Sequence, residues 1–197
     1  SLKTETVFAT PDFIEAHIER LASSADLAGL TVVEADEATL SKVSTLSSNN
    51  AAIAVVNIPE TKALPKSGLI LALDGVSDPG NLGTIIRLAD WYGVKHIVCS
   101  QDSADAYNPK TISATMGSFG RIAVSQTDLS DYLSTLNLPV YGAYLGGQSV
   151  HQTSFKQEAV LLMGNESHGI RNEAGQFVTD KITIPSFGQA ESLNVAR

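Results

Sequence analysis

The stretch LILALDGVSDPGNLGTIIRLADWYGVKHIVC, residues 69–99, decides the fold class of this chain of 197 residues. Its first five residues are apolar and Asp74 follows them, which is typical of a strand buried on both faces. The next loop contains a proline and two glycines, and residues 81–92 then carry apolar side chains at the spacing of an amphipathic helix. A second apolar run occupies residues 94–99. A strand, a helix and a strand in this order predict a parallel βαβ unit.

The same alternation continues towards the end of the chain. Further strands are predicted at residues 121–124, 140–144, 159–163 and 181–184, and helices at residues 128–135 and 172–178. Strands that alternate with helices predict an α/β fold whose mostly parallel sheet is flanked by helices. Such sheets bind ligands at the carboxyl ends of their strands, so the loops at those ends are the candidate functional loops.

Residues 1–66 form a separate, small α/β piece in this interpretation. Strands are predicted at residues 5–9, 30–34 and 51–58, the last apolar enough to be buried, with helices at residues 12–23 and 36–45. The stretch from Pro59 to Gly68 is rich in residues that break helices and strands, which is typical of a linker. We therefore predict two domains, residues 1–66 and residues 67–197.

The charge balance and the cysteine count argue against several functions. The chain has 13 Lys and Arg against 21 Asp and Glu, a net charge of −8, whereas a nucleic-acid partner usually requires a basic surface. No apolar run approaches the roughly 18 residues that span a bilayer, so we expect a cytoplasmic protein with no membrane partner. The single cysteine and four histidines lack metal-ligand spacing, and we expect no metal.

Three loops follow apolar strands at the expected edge of the sheet. They are DGVSDPGNLG at residues 74–83, GNESHG at residues 164–169 and IPSFGQAESLN at residues 184–194. In the first, Asn81 can cap the following helix, but an ordinary βα turn with a solvated Arg87 explains this loop better when it is taken alone. In the second, Glu166 could anchor a ribose or order the loop, and a plain turn is an equal alternative. The third is long for a compact domain, which favours a function.

Taken together, in this order and spacing, the three loops resemble the three motifs of the SpoU, or TrmH, family of S-adenosylmethionine-dependent RNA 2′-O-ribose methyltransferases. We name them motif one, motif two and motif three in chain order. The resemblance covers residues 68–197 and includes NPKTISATMGS at residues 108–118. It implies a C-terminal trefoil knot, in which the chain after about Met163 passes through an earlier loop. It also implies an RNA substrate and a homodimer with the site at the subunit interface.

The resemblance further implies roles for nine residues. The cofactor-binding positions are Gly164, Asn165, Ile184 and Leu193. The catalytic positions are Asn81, Arg87, Glu166, Ser192 and Asn194. An arginine holds its proton too firmly to be an ordinary base at neutral pH, so we expect Arg87 to pair with the adjacent phosphate and stabilise the developing alkoxide. Glu166 is expected to order Arg87 or the loops, and Ser192 and Asn194 to hold the nucleotide or complete the cleft.

Residues 1–66 are more weakly similar to the later half of a small substrate-binding domain that many members carry before the catalytic domain. The usual opening strand of that domain is absent, and the chain ends at Arg197, where the family continues with a hydrophobic helix. The resemblance therefore implies a partial RNA-substrate-binding domain and a methyltransferase domain without its C-terminal helix.

The leading hypothesis is a methyltransferase acting on ribosomal RNA, because a small front domain is typical of those members. A transfer RNA substrate is the first alternative. A non-catalytic RNA- or partner-binding scaffold of the same fold is the second, suggested by the acidic balance, although the complete set of motif residues argues against it. A dehydrogenase would require a GxGxxG turn, which the first loop lacks.

Overall fold

The structure is a computed structural model that describes residues 3–58, 63–188 and 194–196, with the backbone alone for residues 24–28. The chain divides into two compact units, residues 1–61 and 62–197. The linker composition predicts a division a few residues later, between residues 66 and 67. No helix of the described residues has both the length and the apolar character needed to cross a bilayer.

The smaller unit has a three-stranded sheet in the order β2-β1-β3. Its strands are β1 (Lys3–Ala9), β2 (Thr31–Glu34) and β3 (Ala52–Asn57), and its helices are α1 (Pro11–Ala16), α2 (Ile18–Ala28) and α3 (Glu37–Val43). The prediction of a buried third strand is wrong. β3 lies at the edge of the sheet, and none of its residues is buried, because its side chains point to the two faces of the sheet and neither face covers them fully. One helix was predicted over residues 12–23, where the chain forms α1 and α2 instead.

The larger unit has a six-stranded sheet in the order β6-β5-β4-β8-β7-β9. Its strands are β4 (Leu69–Asp74), β5 (His96–Ser100), β6 (Ala123–Thr127), β7 (Val140–Ser149), β8 (Ala159–Gly164) and β9 (Asp180–Thr183). Its helices are α4 (Pro79–Trp91), α5 (Pro109–Thr115), α6 (Leu129–Ser134) and α7 (Asn172–Gly175). All five pairs of neighbouring strands run parallel, which confirms the predicted α/β fold with a parallel sheet.

The central strand β4 is apolar from Leu69 to Leu73 because helices cover both faces of the sheet. Ile70 and Ala72 pack with α6, whose buried residues are Leu129, Tyr132 and Leu133. Leu71 and Leu73 pack on the other face against α4, whose buried apolar side chains are Leu82, Ile85, Ile86 and Ala89. Because side chains alternate along a strand, β4 contributes to two separate cores. This explains why its apolar run in the sequence is unbroken.

The sheet order places two of the three motifs side by side. Motif one follows β4 and motif two follows β8, and these strands are neighbours with Asp74 opposite Gly164. Motif three follows β9, which pairs with β7 at the edge of the sheet. The carboxyl ends of parallel strands lie at one edge of the sheet, so the three motifs emerge from the same edge. The knot that the resemblance implies stays a prediction.

Candidate functional site

The side chain of Asp78 organises the beginning of α4. Its Oδ1 accepts a hydrogen bond from the amide of Asn81 at 2.8 Å, and Pro79 occupies the first turn, where no amide donor is needed. The Lys110 ammonium donates to the other carboxylate oxygen at 2.9 Å. The prediction that Asn81 caps the helix is therefore wrong, because Asp78 does so three residues earlier. The Asn81 side chain lies inside the first turn and has other partners.

One residue from each motif joins a chain of hydrogen bonds. The Asn81 Nδ2 donates to Glu166 Oε1, and the Asn194 Nδ2 donates to Asn81 Oδ1 at 3.2 Å. We call Asn81, Glu166 and Asn194 the polar trio. The structure thus brings together three of the five predicted catalytic residues, although they lie far apart in the sequence. Glu166 was expected to order either Arg87 or the loops. In the structure it accepts a hydrogen bond from Asn81 of motif one, so it contacts a neighbouring loop.

The motif-two loop, residues 164–171, is closed tightly on itself. Asn165 and Gly169 exchange two backbone hydrogen bonds of 3.1 and 2.8 Å. A Cβ atom on Gly164 would lie 2.1 Å from the carbonyl carbon of Gly169, so only glycine fits at this strand end. The Asn165 side chain donates to the carbonyl of Gly75 at 2.7 Å and accepts from the amide of Ser167 at 2.7 Å. The Asn165 side chain therefore joins motif two to motif one.

An ion pair between a buried carboxylate and a half-exposed guanidinium lies at the base of this loop. The Asp74 side chain is 1% exposed, and its carboxylate accepts from the backbone amide of Arg171 and from the Arg171 Nε, both at 2.8 Å. The guanidinium also donates to both oxygens of Asp102 at 3.0 Å. These hydrogen bonds, with those to Asp74 the strongest, raise the pKa of Arg171 above its usual range. The guanidinium is therefore a permanent cation at this position.

The sequence predicts Arg171 only as a cation at the rim of the RNA site, and it gives Asp74 no role. The signal that could have found it is the run LILALD, which puts a carboxylate at the end of a fully buried strand. A carboxylate in such a place requires a charged or hydrogen-bonding partner. The sequence does not show which of its cations supplies that partner, because Arg171 lies 97 positions away.

Arg87 lies apart from the polar trio on α4. It is exposed, and it makes none of the ion pairs found among the described residues. It lies six positions after Asn81 on the same helix, which corresponds to about 9 Å along the axis and to faces about 120° apart. The next turn presents Trp91 and Tyr92, whose side chains are also exposed. Within one chain, Arg87 and Asn81 therefore leave the helix on different faces.

Motif three is described only in part. Ile184 directly follows β9 and its side chain is 57% exposed. Two predicted residues, Ser192 and Leu193, lie outside the described residues. Ile184 offers an exposed apolar side chain and the motif-two loop offers closely packed peptide groups, and an adenosine moiety needs both kinds of contact, apolar for its ring and polar for its edges. Gly164, Asn165 and Ile184 are thus compatible with the predicted methyl donor.

Comparisons with known proteins identify the family to which this chain is similar. The sequence model of the SpoU rRNA Methylase family matches residues 68–197. RlmP of Bacillus subtilis (strain 168), a 23S rRNA (guanosine(2553)-2′-O)-methyltransferase, is 38% identical over 147 residues, which are 73% of this chain and 59% of RlmP. The chain therefore spans less than two thirds of the length of this relative.

Two solved structures differ in how much of the chain they match. The AdoMet-bound rRNA methyltransferase from Sinorhizobium meliloti matches 100% of this chain and 76% of its own, with a TM-score of 0.84 and 30% identity. The TrmH/SpoU tRNA modifying enzyme of A. aeolicus matches 68% of this chain and 70% of its own, with a TM-score of 0.56 and 26% identity. The match to the first includes both units of the chain.

Proposed function

The chain belongs to the SpoU rRNA methylase family, and from this premise we propose that its protein transfers a methyl group from S-adenosylmethionine to a ribose 2′-hydroxyl of ribosomal RNA. The observation that carries the proposal is the polar trio, which joins the three family motifs through the side chains of Asn81, Glu166 and Asn194. A fold kept only as a scaffold would not need these particular side chains to meet.

The residues of the site divide between donor and acceptor. S-adenosylmethionine, when bound, supplies the methyl group. Gly164, Asn165, Ile184 and Leu193 would hold it beside motif two. The polar trio and Ser192 would orient the ribose, since amide and carboxylate groups at fixed positions can hold a hydroxyl in line with the donor. Arg87 would pair with the neighbouring phosphate and stabilise the negative charge that develops on the attacking oxygen.

Ribosomal RNA is the substrate class that the comparisons favour over transfer RNA. RlmP acts on 23S rRNA by its name, and the rRNA methyltransferase from S. meliloti matches the whole chain. The tRNA modifying enzyme matches about two thirds of it. Because the rRNA methyltransferase from S. meliloti matches the smaller unit as well as the larger one, we assign RNA-substrate binding to the smaller unit. We also place the reaction in the cytoplasm.

A homodimer would explain the position of Arg87. Leu88 and Trp91 follow it on α4 and Tyr92 ends the helix, and Trp91 is 83% exposed. A second copy of the chain that covers these apolar side chains would bury them and bring Arg87 to the subunit interface. We expect sedimentation of the full-length protein to show a dimer, and Trp91→Asp to shift it towards monomer. A wild-type monomer at all concentrations would contradict this part of the proposal.

The experiment that tests the proposed function is a comparison of Arg87→Ala with wild type. We expect methyl transfer to fall about 100- to 1,000-fold, as on loss of one group that stabilises transition-state charge. The affinity for S-adenosylmethionine, measured by calorimetry, should change less than about twofold, because Arg87 acts on the acceptor. Lys95→Ala, which removes an exposed cation nearby in the sequence, is the matched control and should leave both quantities unchanged.

Two results would count against the proposal. If Arg87→Ala kept most of the wild-type turnover, the catalytic role of Arg87 would be wrong. If the wild-type full-length protein bound no S-adenosylmethionine at millimolar concentration, the scaffold alternative would be favoured over the enzyme.

A further inference from the structure

Both ends of the motif-two loop are attached to the same residue of β4. At its beginning, Gly164 is the last residue of β8 and is paired with Asp74 in the parallel ladder. At its end, the amide and the guanidinium of Arg171 both donate to the Asp74 carboxylate. Ile170, just before Arg171, is buried in the core between the sheet and α6. The loop thus leaves the end of β4 and returns to it within eight residues.

A second carboxylate extends this attachment to the next strand. The Arg171 guanidinium donates to both oxygens of Asp102, which lies just beyond β5. Ser100 at the end of β5 donates to Asp102 at 2.7 Å and accepts from the Gly75 amide at 2.8 Å. The hydrogen bond from Ser100 is the main reason that the pKa of Asp102 is lowered. These hydrogen bonds and the Arg171 guanidinium therefore connect motif one, the loop after β5 and the motif-two loop.

Only arginine among the side chains can make this set of contacts. It offers five N–H donors in a planar fork, so it can serve two carboxylates at once, whereas a lysine ammonium acts as a point charge. Asp74 is almost fully buried, and a buried carboxylate that loses its partner destabilises its surroundings strongly. Removal of the guanidinium should therefore release the end of the motif-two loop.

We infer that Asp74 and Arg171 are positioning residues that fix the motif-two loop in the shape that binds the methyl donor. This inference rests on the proposed function, because it takes motif two as the donor site. Neither residue contacts the donor in this account. Their effect passes through the backbone of the loop, where binding geometry must be held to about 0.5 Å to be productive.

The test compares Arg171→Ala with Arg121→Ala. Arg121 makes the same kind of ion pair, with Asp90 on α4 at 2.7 Å, and that pair lies outside the three motif loops. For each variant we would measure the dissociation constant and KM for S-adenosylmethionine, kcat at saturating donor, and the unfolding temperature. We expect Arg171→Ala to raise the dissociation constant and KM at least about 10-fold and to lower kcat less than about threefold, as for loss of ordered ligand-supporting contacts.

The control separates positioning from general stability. Arg121→Ala should lower the unfolding temperature but change the dissociation constant less than about twofold. If Arg171→Ala lowered the unfolding temperature and left donor affinity at the wild-type value, the inference would be overturned and the pair would be structural only. Arg171→Lys keeps the charge without the fork and serves where the alanine variant does not fold. A wild-type donor affinity in Arg171→Lys would overturn the inference as well.

A measurement without the donor keeps the inference distinct from the proposed function. Amide hydrogen exchange of residues 165–170 in the ligand-free protein should be at least about 10-fold faster in Arg171→Ala, or in Arg171→Lys, than in Arg121→Ala. Equal exchange in the Arg171 and Arg121 variants would overturn the inference even if the protein were a methyltransferase. If the Arg171 variants exchanged faster but the wild-type protein bound no donor, the proposed function would be rejected and the attachment of the loop by Arg171 would stand.

Discussion

At the scale of single residues, Gly164 shows how little space the motif-two loop leaves. We predict that Gly164→Ala destabilises the protein by about 1–3 kcal/mol, the usual cost of forcing an extra methyl group into a packed site. It should also lower donor affinity, because the Cβ would push against the backbone of Gly169 and Ile170. Thermal unfolding and calorimetry check both effects.

Gly146→Ala is the matched control for that substitution. A Cβ on Gly146 would meet no atom within 4 Å, and the backbone there does not lie in the left-handed region. We expect this variant to have wild-type stability and donor affinity. Equal behaviour of the two alanine variants would contradict the close packing of the loop.

The site residues differ in how far the sequence predicts them. Asn81, Glu166 and Asn194 were predicted from their motifs, and the structure brings them into one hydrogen-bonded chain. Arg171 was predicted as a rim cation for RNA, and its pairing with Asp74 was not predicted, because that pairing depends on the order of the strands. A pattern of residues along the chain records which strands exist, whereas their neighbours in the sheet are a property of the tertiary fold.

At the scale of elements, α4 depends on its cap. Asp78→Ala removes the acceptor of the Asn81 amide and the partner of Lys110, and we predict a fall of about 2–4 °C in the unfolding temperature at pH 7. Asp78→Asn, which keeps an oxygen acceptor for the amide, should lose less. A fall of the same size in both variants would show that the ion pair with Lys110 acts alone.

The cap also predicts a pH dependence. The hydrogen bond from Lys110, followed by that from the Asn81 amide, lowers the pKa of Asp78 below its usual range. Because the folded-state pKa lies below the unfolded one, the carboxylate stabilises the protein at neutral pH and loses that effect as the pH falls below about 4. The difference in unfolding temperature between wild type and Asp78→Ala should therefore shrink in acid. A constant difference from pH 7 to about pH 2 would be inconsistent with the cap.

The elements also differ in how well the sequence predicts them. β4 matches its prediction because a strand that contributes side chains to two cores must be apolar on both faces, as residues 69–73 are. α5 was not predicted, although Asn108 caps it and Pro109 begins it, because its seven residues are too few for a clear apolar period. β3 was predicted to be buried and lies at an edge, since composition does not record how many neighbours a strand has.

At the scale of the whole molecule, the net charge of −8 predicts that the proposed RNA binding uses few phosphate contacts. Three cations of the larger unit, Lys110, Arg121 and Arg171, are already paired with aspartates. We predict that the logarithm of RNA affinity falls with the logarithm of salt concentration with a slope of magnitude below about 4, because each neutralised phosphate contributes about 0.7–0.9. Fluorescence anisotropy with a labelled ribosomal RNA fragment measures it. A slope of magnitude ten or more would contradict this account of the charges.

The central claim is methyl transfer to a ribose 2′-hydroxyl, and alkaline hydrolysis of the product tests it most directly. Alkali cleaves RNA through attack of each free 2′-hydroxyl on the adjacent phosphate, so a methylated ribose leaves an uncleaved dinucleotide. The full-length protein would be incubated with ribosomal RNA and methyl-labelled S-adenosylmethionine, with Arg87→Ala as the control. We predict that the label appears in alkali-resistant dinucleotides with wild type, and that the variant forms them at least about 100-fold more slowly. Label in mononucleotides, which indicates methylation of a base, or no label with the wild-type protein, would contradict the claim.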